Sequence, residues 1–269
     1  MTRKEPAKGL RVRQTLPNYD SKSVHHSIYL PQNWTAGRKY PVLFEYSGNG
    51  PYRNSYGDES RGVVEGSCLG YGISGGRDFI WVVLPFLSGD GTRNVKQWWG
   101  DKPKYDPKPT VTYCKKAVPW ICEKYGGDRD AVFLVGFSRG AIACNYIGLH
   151  DDEIASLWRG FVVYSHYDGV VRWGYPGSDR ESALTRLRRL RGRPQFVCHE
   201  SGASPSSSLN ATRRYLKASG LDASMTFVET GFRNHNDAWT LRPSQARKRL
   251  RGWLRDVLKK PTKPGIQRD

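Results

Sequence analysis

The sequence predicts an α/β fold built on a largely parallel sheet. From residue 79 onward, short apolar and β-branched runs alternate with segments of helical periodicity, a pattern typical of βαβ crossovers. The chain has 269 residues, which is long enough for one large domain with a substantial core. The strands before residue 79 favour an antiparallel beginning.

The elements follow one another with short connections. The predicted strands are 24–30, 42–46, 79–84, 132–135, 161–164, 195–198 and 225–229. The predicted helices are 111–124, 139–149, 180–191, 206–219 and 245–259. Both ends of the chain are polar and rich in proline or lysine. We therefore predict a flexible N-terminal segment at 1–23, a single domain at 24–260 and a flexible tail at 261–269.

The formal net charge of +18 is the main compositional anomaly. The basic residues concentrate in "LTRLRRLRGRP" and "ARKRLRGWLRDVLKKPTK". In the second stretch the apolar residues repeat at helical spacing, so we interpret the cations as the solvated face of a surface helix. Such a field attracts polyanions. Because no nucleic-acid motif accompanies the charge, no specific nucleic-acid partner is expected.

Several classes of protein are disfavoured by what the sequence lacks. No stretch approaches the roughly 18 apolar residues of a membrane span, and the N-terminus has no apolar signal-peptide region. The five cysteines show neither a disulfide framework nor metal-ligand spacing. These features favour a cytoplasmic protein without a metal site, although a secreted protein whose leader was removed would look the same. The sequence does not indicate an oligomeric state.

Ser138 lies where a predicted strand turns directly into a predicted helix, in the stretch "VFLVGFSRGA". The flanking Gly136 and Gly140 fit a sharp, strained turn, since a Cβ at either position would collide with the neighbouring strand or helix. The turn lifts the hydroxyl above the sheet and places a helix N-terminus near developing negative charge. This pattern predicts a nucleophile elbow; the alternative is a tight structural turn.

The stretches "YPVLFEYSGNG", "VFLVGFSRGA" and "FRNHNDAW" occur in that order. On these residues the chain resembles the α/β-hydrolase superfamily, and within it the esterase and polyhydroxybutyrate-depolymerase-like group that includes feruloyl and acetyl esterases. The resemblance covers about residues 24–259. It implies an eight-stranded, mostly parallel sheet with helices on both faces, a Ser–acid–His triad and no cofactor. Relatives act on acylated polysaccharides, short-chain esters and polyesters.

His235 is the candidate base, because the chain order of this superfamily is nucleophile, acid, histidine, with the histidine on the loop after the last strand. The acid is less clear. Its usual place, a few residues after strand 195–198, holds Ala203 and Ser204. We expect Asp168 to be the acid, in an Asp-Gly turn after the preceding strand. Glu200 is the alternative, and a site without a working acid also remains open.

The oxyanion hole needs backbone N–H groups. We expect one from Arg139, the residue after the nucleophile. The second should come from the loop "SGNGP", where Asn49 and Gly50 are the main candidates because Pro51 has no N–H. An ordinary glycine turn is the alternative interpretation.

Three tryptophans lie on loops expected at the carboxyl edge of the sheet, namely Trp98, Trp99 and Trp173. Loops at this edge usually cover the pocket, so these indoles are candidates for binding a sugar or an aromatic acyl group. Packing of the loops onto the sheet is an equally good interpretation.

Together these features predict a serine-dependent carboxylic ester hydrolase that acts through an acyl-enzyme. The expected substrate is a small-molecule or polymer-linked ester, on a polysaccharide or a polyester, with anionic polymers included. Two alternatives remain: a serine peptidase of the same fold, and an inactive hydrolase-fold protein that binds a polyanion.

Overall fold

The computed structural model describes residues 4–55 and 57–261, and an eight-stranded sheet forms its centre. In chain order the sheet strands are β1 (Arg11–Gln14), β2 (His26–Tyr29), β3 (Tyr40–Tyr46), β6 (Ile80–Leu84), β7 (Gly127–Phe137), β8 (Gly160–Tyr164), β9 (Gln195–His199) and β10 (Met225–Glu229). Across the sheet they lie in the order β1-β2-β6-β3-β7-β8-β9-β10. A separate small hairpin pairs β4 (Tyr52–Arg53) with β5 (Glu59–Ser60).

The six strands from β6 to β10 across the sheet are parallel, while β2 runs antiparallel to both of its neighbours. This arrangement confirms the predicted parallel sheet with an antiparallel beginning. Because parallel strands end at one edge, the loops after β3, β7, β8, β9 and β10 meet there.

Helices cover both faces of the sheet, as predicted. In chain order they are α1 (Leu69–Ser74), α2 (Lys108–Tyr125), α3 (Arg139–Tyr146), α4 (Asp152–Ser156), α5 (Arg180–Leu187), α6 (Leu209–Ala218) and α7 (Gln245–Lys259). Alternate residues of β3 enter two separate cores: Val42 and Phe44 pack with α2 and α3, and Leu43 packs with α1 and α7. None of the described helices is both long and apolar enough to span a membrane.

The expectation of a flexible segment before residue 24 does not hold for β1. This strand pairs antiparallel with β2, and Val12 is buried. Arg11 stabilises it, since its guanidinium donates hydrogen bonds to the carbonyls of Val64 and Ser67. Of the predicted tail at 261–269, residues 262–269 lie outside the described part of the chain.

Candidate active site

Ser138 is held in a strained conformation between β7 and α3, with φ 56° and ψ −116°. The flanking glycines allow this turn. A Cβ on Gly136 would lie 2.1 Å from the carbonyl oxygen of Gly140, and a Cβ on Gly140 would lie 1.8 Å from that of Tyr46. Only residues without side chains fit such close approaches. Strain of this kind is often stored at functional sites.

His235 lies beside Ser138, as expected from the sequence. Its Nε2 is 3.2 Å from Ser138 Oγ, and its Nδ1 is 2.7 Å from Glu200 Oε1. The three side chains come from the ends of β7, β9 and β10. The geometry is that of a nucleophile, a base and an orienting carboxylate.

Glu200 is held by more than one neighbour. The hydroxyl of Ser165 donates a hydrogen bond of 3.0 Å to Oε1, and Ser165 itself has the unusual φ of 86°. His199 Nδ1 lies 3.2 Å from Oε2, close enough for electrostatic attraction but not aligned for a hydrogen bond. Burial raises the pKa of Glu200, but the two imidazoles outweigh it and hold that pKa well below its usual range. Glu200 is therefore an anion at neutral pH.

Asp168 does not contact His235, which corrects the preference stated from the sequence. Its carboxylate is fully buried and forms a two-armed ion pair with Arg186, at 2.9 Å to Nε and 3.1 Å to a terminal nitrogen. Arg186 also donates to the carbonyl of Gly177. This arginine belongs to the basic stretch "LTRLRRLRGRP" and is buried together with Asp168 as an ion pair. Asp168 thus has a structural partner.

A third carboxylate, Asp58, holds the backbone of the histidine loop. It accepts a hydrogen bond of 2.9 Å from the N–H of His235 and further bonds from the side-chain amides of Asn234 and Asn236. Burial raises the pKa of Asp58, but these bonds and one from Asn54 bring it below its ordinary value. Asp58 lies between β4 and β5, in a loop whose sequence gave no sign of this role.

One expected oxyanion donor is available and another is not. The N–H of Arg139 is the first of α3, so it has no partner within the helix. The N–H of Gly50 already donates to the carbonyl of Lys96 at 2.9 Å, which corrects its assignment as a donor. No hydrogen bond of the Asn49 N–H occurs among residues 4–55 and 57–261, whereas the Asn49 side chain accepts from the N–H of Trp98.

The side chain of Arg139 organises the same loop. Its guanidinium is fully buried, contacts no carboxylate in the described part of the chain, and donates to main-chain carbonyls, among them Gly48 at 2.9 Å and Trp98 at 2.8 Å. Burial lowers its pKa well below the ordinary value. In a trans peptide the C=O and the next N–H point in opposite directions. With the Gly48 carbonyl turned to Arg139, the N–H of Asn49 therefore points away from that guanidinium.

The three tryptophans divide into two groups. Trp99 is fully buried and stacks on Tyr146 with 4.3 Å between ring centroids, so it does not fit the expected role in substrate binding. Trp98 and Trp173 are partly buried, and their rings lie 5.4 Å apart. The His166 ring lies 5.4 Å from both Trp173 and His235. These two indoles therefore remain candidates for the wall of a substrate site.

Two further carboxyl groups lie beneath the histidine loop. Glu45 accepts hydrogen bonds from the N–H of Gly70 at 2.8 Å and from the indole of Trp81 at 2.7 Å. Asp237 accepts one from the N–H of Cys68 at 2.8 Å. Burial, together with the nearby charge of Asp237, raises the pKa of Glu45 to about 8.

Comparison with known proteins identifies relatives by structure and not by sequence. No protein-family model and no curated protein sequence matches the chain. The matching solved structures include esterases, feruloyl esterases, serine hydrolases and dipeptidyl peptidases. A thermostable esterase is 14% identical over 92% of this chain, with a TM-score of 0.53, and the match spans 62% of the esterase.

Two other structures show the range of proteins that match. An esterase from the fungus Rhizomucor miehei is 13% identical over 92% of this chain and 83% of its own, with a TM-score of 0.61. Dipeptidyl peptidase 4 from Porphyromonas gingivalis is 15% identical over 87% of this chain and 33% of its own, with a TM-score of 0.55. At such identities the likeness concerns the fold. The chain has the α/β-hydrolase fold.

Proposed function

We propose that the protein is a serine-dependent carboxylic ester hydrolase that works through an acyl-enzyme. The observation that carries the proposal is the continuous series of contacts from Ser138 through His235 to Glu200, at 3.2 Å and 2.7 Å. Ser138 stands on a strained turn at the start of a helix, where an activated nucleophile is expected. Matching esterase structures support the same reaction class.

In the proposed mechanism Ser138 Oγ attacks the ester carbonyl while His235 Nε2 takes its proton. Glu200 accepts the hydrogen bond from Nδ1–H, which fixes the tautomer and stabilises the imidazolium. The backbone N–H groups of Arg139 and Asn49 stabilise the oxyanion. His235 then protonates the leaving alcohol, and water attacks the acyl-enzyme with the same base. The mechanism uses no cofactor.

A fluorophosphonate probe tests whether Ser138 is activated. We expect the wild-type protein to be labelled at Ser138 and to hydrolyse p-nitrophenyl acetate. The Ser138→Ala variant should lose labelling and at least about 10⁴-fold in turnover. Ser74→Ala, which removes a hydroxyl at the end of α1, is the matched control and should keep both. Full activity of Ser138→Ala would refute the proposal.

The same triad could cleave amides, and dipeptidyl peptidases share the fold. Cleavage of a polymer-linked ester is favoured because Trp98 and Trp173 offer flat apolar surfaces next to His166, whose ring neighbours that of His235. A feruloyl esterase module from Clostridium thermocellum, solved with sinapinate, has the same fold. Parallel assays with acetyl and feruloyl esters and with peptidyl p-nitroanilides would separate the two activities. Faster cleavage of the anilides would favour the peptidase.

A further inference from the structure

We propose that a cavity beside the catalytic loops binds an anionic group of the substrate polymer. This inference rests on the proposed hydrolase function and names its substrate class, a carboxylic ester carried by an acidic polysaccharide. The group that the cavity would hold is a carboxylate or a sulfate. The cavity has a volume of about 350 Å³, and it lies between the loop after β8 and helices α5 and α6.

The charge of the cavity favours an anion. Arg180, the first residue of α5, and Arg214, on α6, both line it. Both side chains are exposed, and neither forms an ion pair within the described part of the chain. No aspartate or glutamate lines the cavity. Two guanidinium groups that have no carboxylate partner in the described part of the chain give the cavity a positive lining, and each can donate paired hydrogen bonds to an oxyanion.

Two contacts restrain parts of the cavity wall. The guanidinium of Arg180 lies 4.8 Å above the ring of Tyr215, which orients it by a cation–π interaction. The buried Asp168–Arg186 ion pair ties the loop that contains Gly169 to α5. These two contacts restrain Arg180 and the loop of Gly169, which lowers the entropic cost of ordering them when a ligand binds.

Short chain connections between the cavity and the residues around the triad limit how far apart the two can lie. Gly169 follows His166 by three residues, and the His166 ring is 5.4 Å from that of His235. Ser206, on the opposite wall, follows Glu200 by six residues, a chain length that spans at most about 20 Å. An acidic polysaccharide carries acyl esters and anionic groups on the same chain. A nucleic acid lacks acyl esters along its length, so the proposed reaction favours the sugar polymer.

Binding can be measured without catalysis in the Ser138→Ala background. We expect calorimetric titration to detect an oligogalacturonate, and to show at least about 10-fold weaker binding of a neutral oligosaccharide of equal length. Arg180→Gln combined with Arg214→Gln should weaken oligogalacturonate binding at least about 10-fold. A sulfated oligosaccharide as a second probe distinguishes carboxylate from sulfate.

The matched control is Arg213→Gln combined with Lys217→Gln. Both residues are exposed on α6, neither lines the cavity, and the pair removes the same net charge. We expect this control to bind like the parent. Equal weakening in the two double variants would overturn the proposal, because the overall field and not the cavity would then attract the anion. Tighter binding of a single-stranded oligonucleotide than of oligogalacturonate would overturn the substrate class.

Catalysis provides a separate readout. In the active background the Arg180/Arg214 double variant should raise KM for an acetylated acidic polysaccharide by at least about 10-fold and leave turnover of p-nitrophenyl acetate unchanged. An equal loss on both substrates would contradict a binding role. If the wild-type protein hydrolyses no ester, the proposed function fails, while the calorimetric result still decides whether the cavity binds anions.

Discussion

Asp168 and Glu200 follow neighbouring parallel strands, β8 and β9, at the same edge of the sheet. Both carboxylates are buried, with 1% and 8% of the residue exposed. Asp168 meets a guanidinium and Glu200 meets an imidazole. Position at the carboxyl edge is therefore shared by a structural and a candidate catalytic acid. The side chain that each carboxylate contacts distinguishes their roles.

The two carboxylates have different partners because they differ in distance from the strand end and in the direction of the chain that carries them. Asp168 lies four residues beyond β8, on a loop that turns back towards α5 and brings the carboxylate to Arg186. Glu200 is the first residue after β9. Its side chain is one methylene longer than that of aspartate, and from the strand end it reaches His235 Nδ1. A glutamate at the strand end can thus contact the base, as an aspartate farther along the loop does in the arrangement expected from the sequence.

The sharpest test of the comparison is Glu200→Gln. Glutamine keeps the size but cannot act as the anionic acceptor for Nδ1–H, so turnover of p-nitrophenyl acetate should fall about 10²–10⁴-fold. The fold should persist, which far-ultraviolet circular dichroism can check. Retention of near wild-type turnover would remove Glu200 from the proposed triad.

Asp58→Asn should have the next largest effect on turnover, a loss of about 10–10²-fold, because a shift of the histidine by 1 Å can cost that much. Asparagine offers one acceptor oxygen where the carboxylate receives several donors. A positioning role predicts a lower kcat with a little-changed KM for a small ester. Steady-state kinetics on the purified variant decides this, and Asn54→Ala, which removes only a neighbour of Asp58, should lose less.

Asp168→Asn should act on stability far more than on turnover. The change leaves Arg186 buried without its anion, so the free energy of unfolding should drop by about 3–5 kcal/mol. Turnover of the folded fraction should stay within a few-fold of wild type. Urea unfolding measures the loss. Asp152→Asn is the control, since its ion pairs with Arg189 and Arg191 are exposed and should contribute less than about 1 kcal/mol.

Glu45→Gln should change only the pH dependence of stability. The folded pKa of Glu45, about 8, lies above its ordinary value of 4.5. Its contribution is therefore fully present below pH 4.5 and is lost as the pH rises through about 8. Relative to the variant, the wild type should lose unfolding free energy as the pH rises from 5 to 8.

Histidines with a lowered pKa change the free energy of unfolding with pH in the opposite direction. The pH dependence of the wild type alone therefore does not report on Glu45. Burial lowers the pKa of His26 to about 3 and that of His166 to about 4. These two contribute stability above pH 6.5 that is lost as the pH falls towards those values. Their effect cancels when Glu45→Gln is compared with wild type at each pH. Parallel slopes for the two proteins would show that Glu45 is ionised throughout.

The sequence predicted the sheet where burial produced apolar runs, as in β6 and β8. It missed β1, whose stretch "RVRQ" contains one apolar residue, because strand pairing and the contacts of Arg11 stabilise that strand. It also placed the start of β7 too late, since the polar residues after Gly127 belong to the strand. Local hydrophobicity does not report these long-range contacts.

The candidate site shows the same difference between local sequence features and long-range contacts. Ser138 and His235 could be predicted because the turn, the glycines and the chain order are local features. The contacts of Asp58 and Ser165 join residues 177 and 35 positions apart in the chain, and no local pattern announces them. For Trp99 the sequence left binding and packing equally open, and the stacking on Tyr146 favours packing.

The bond from His235 to Asp58 makes the base depend on a part of the chain outside the sheet. Asp58 lies in the stretch between β4 and β5, where Arg53 and Ser55 are exposed. Because Asp58 lies outside the eight-stranded sheet, local opening of this stretch would displace His235 while the sheet stays paired. Limited proteolysis after Arg53 is therefore expected to lower activity before the sheet unfolds, and parallel measurements of turnover and circular dichroism would check this.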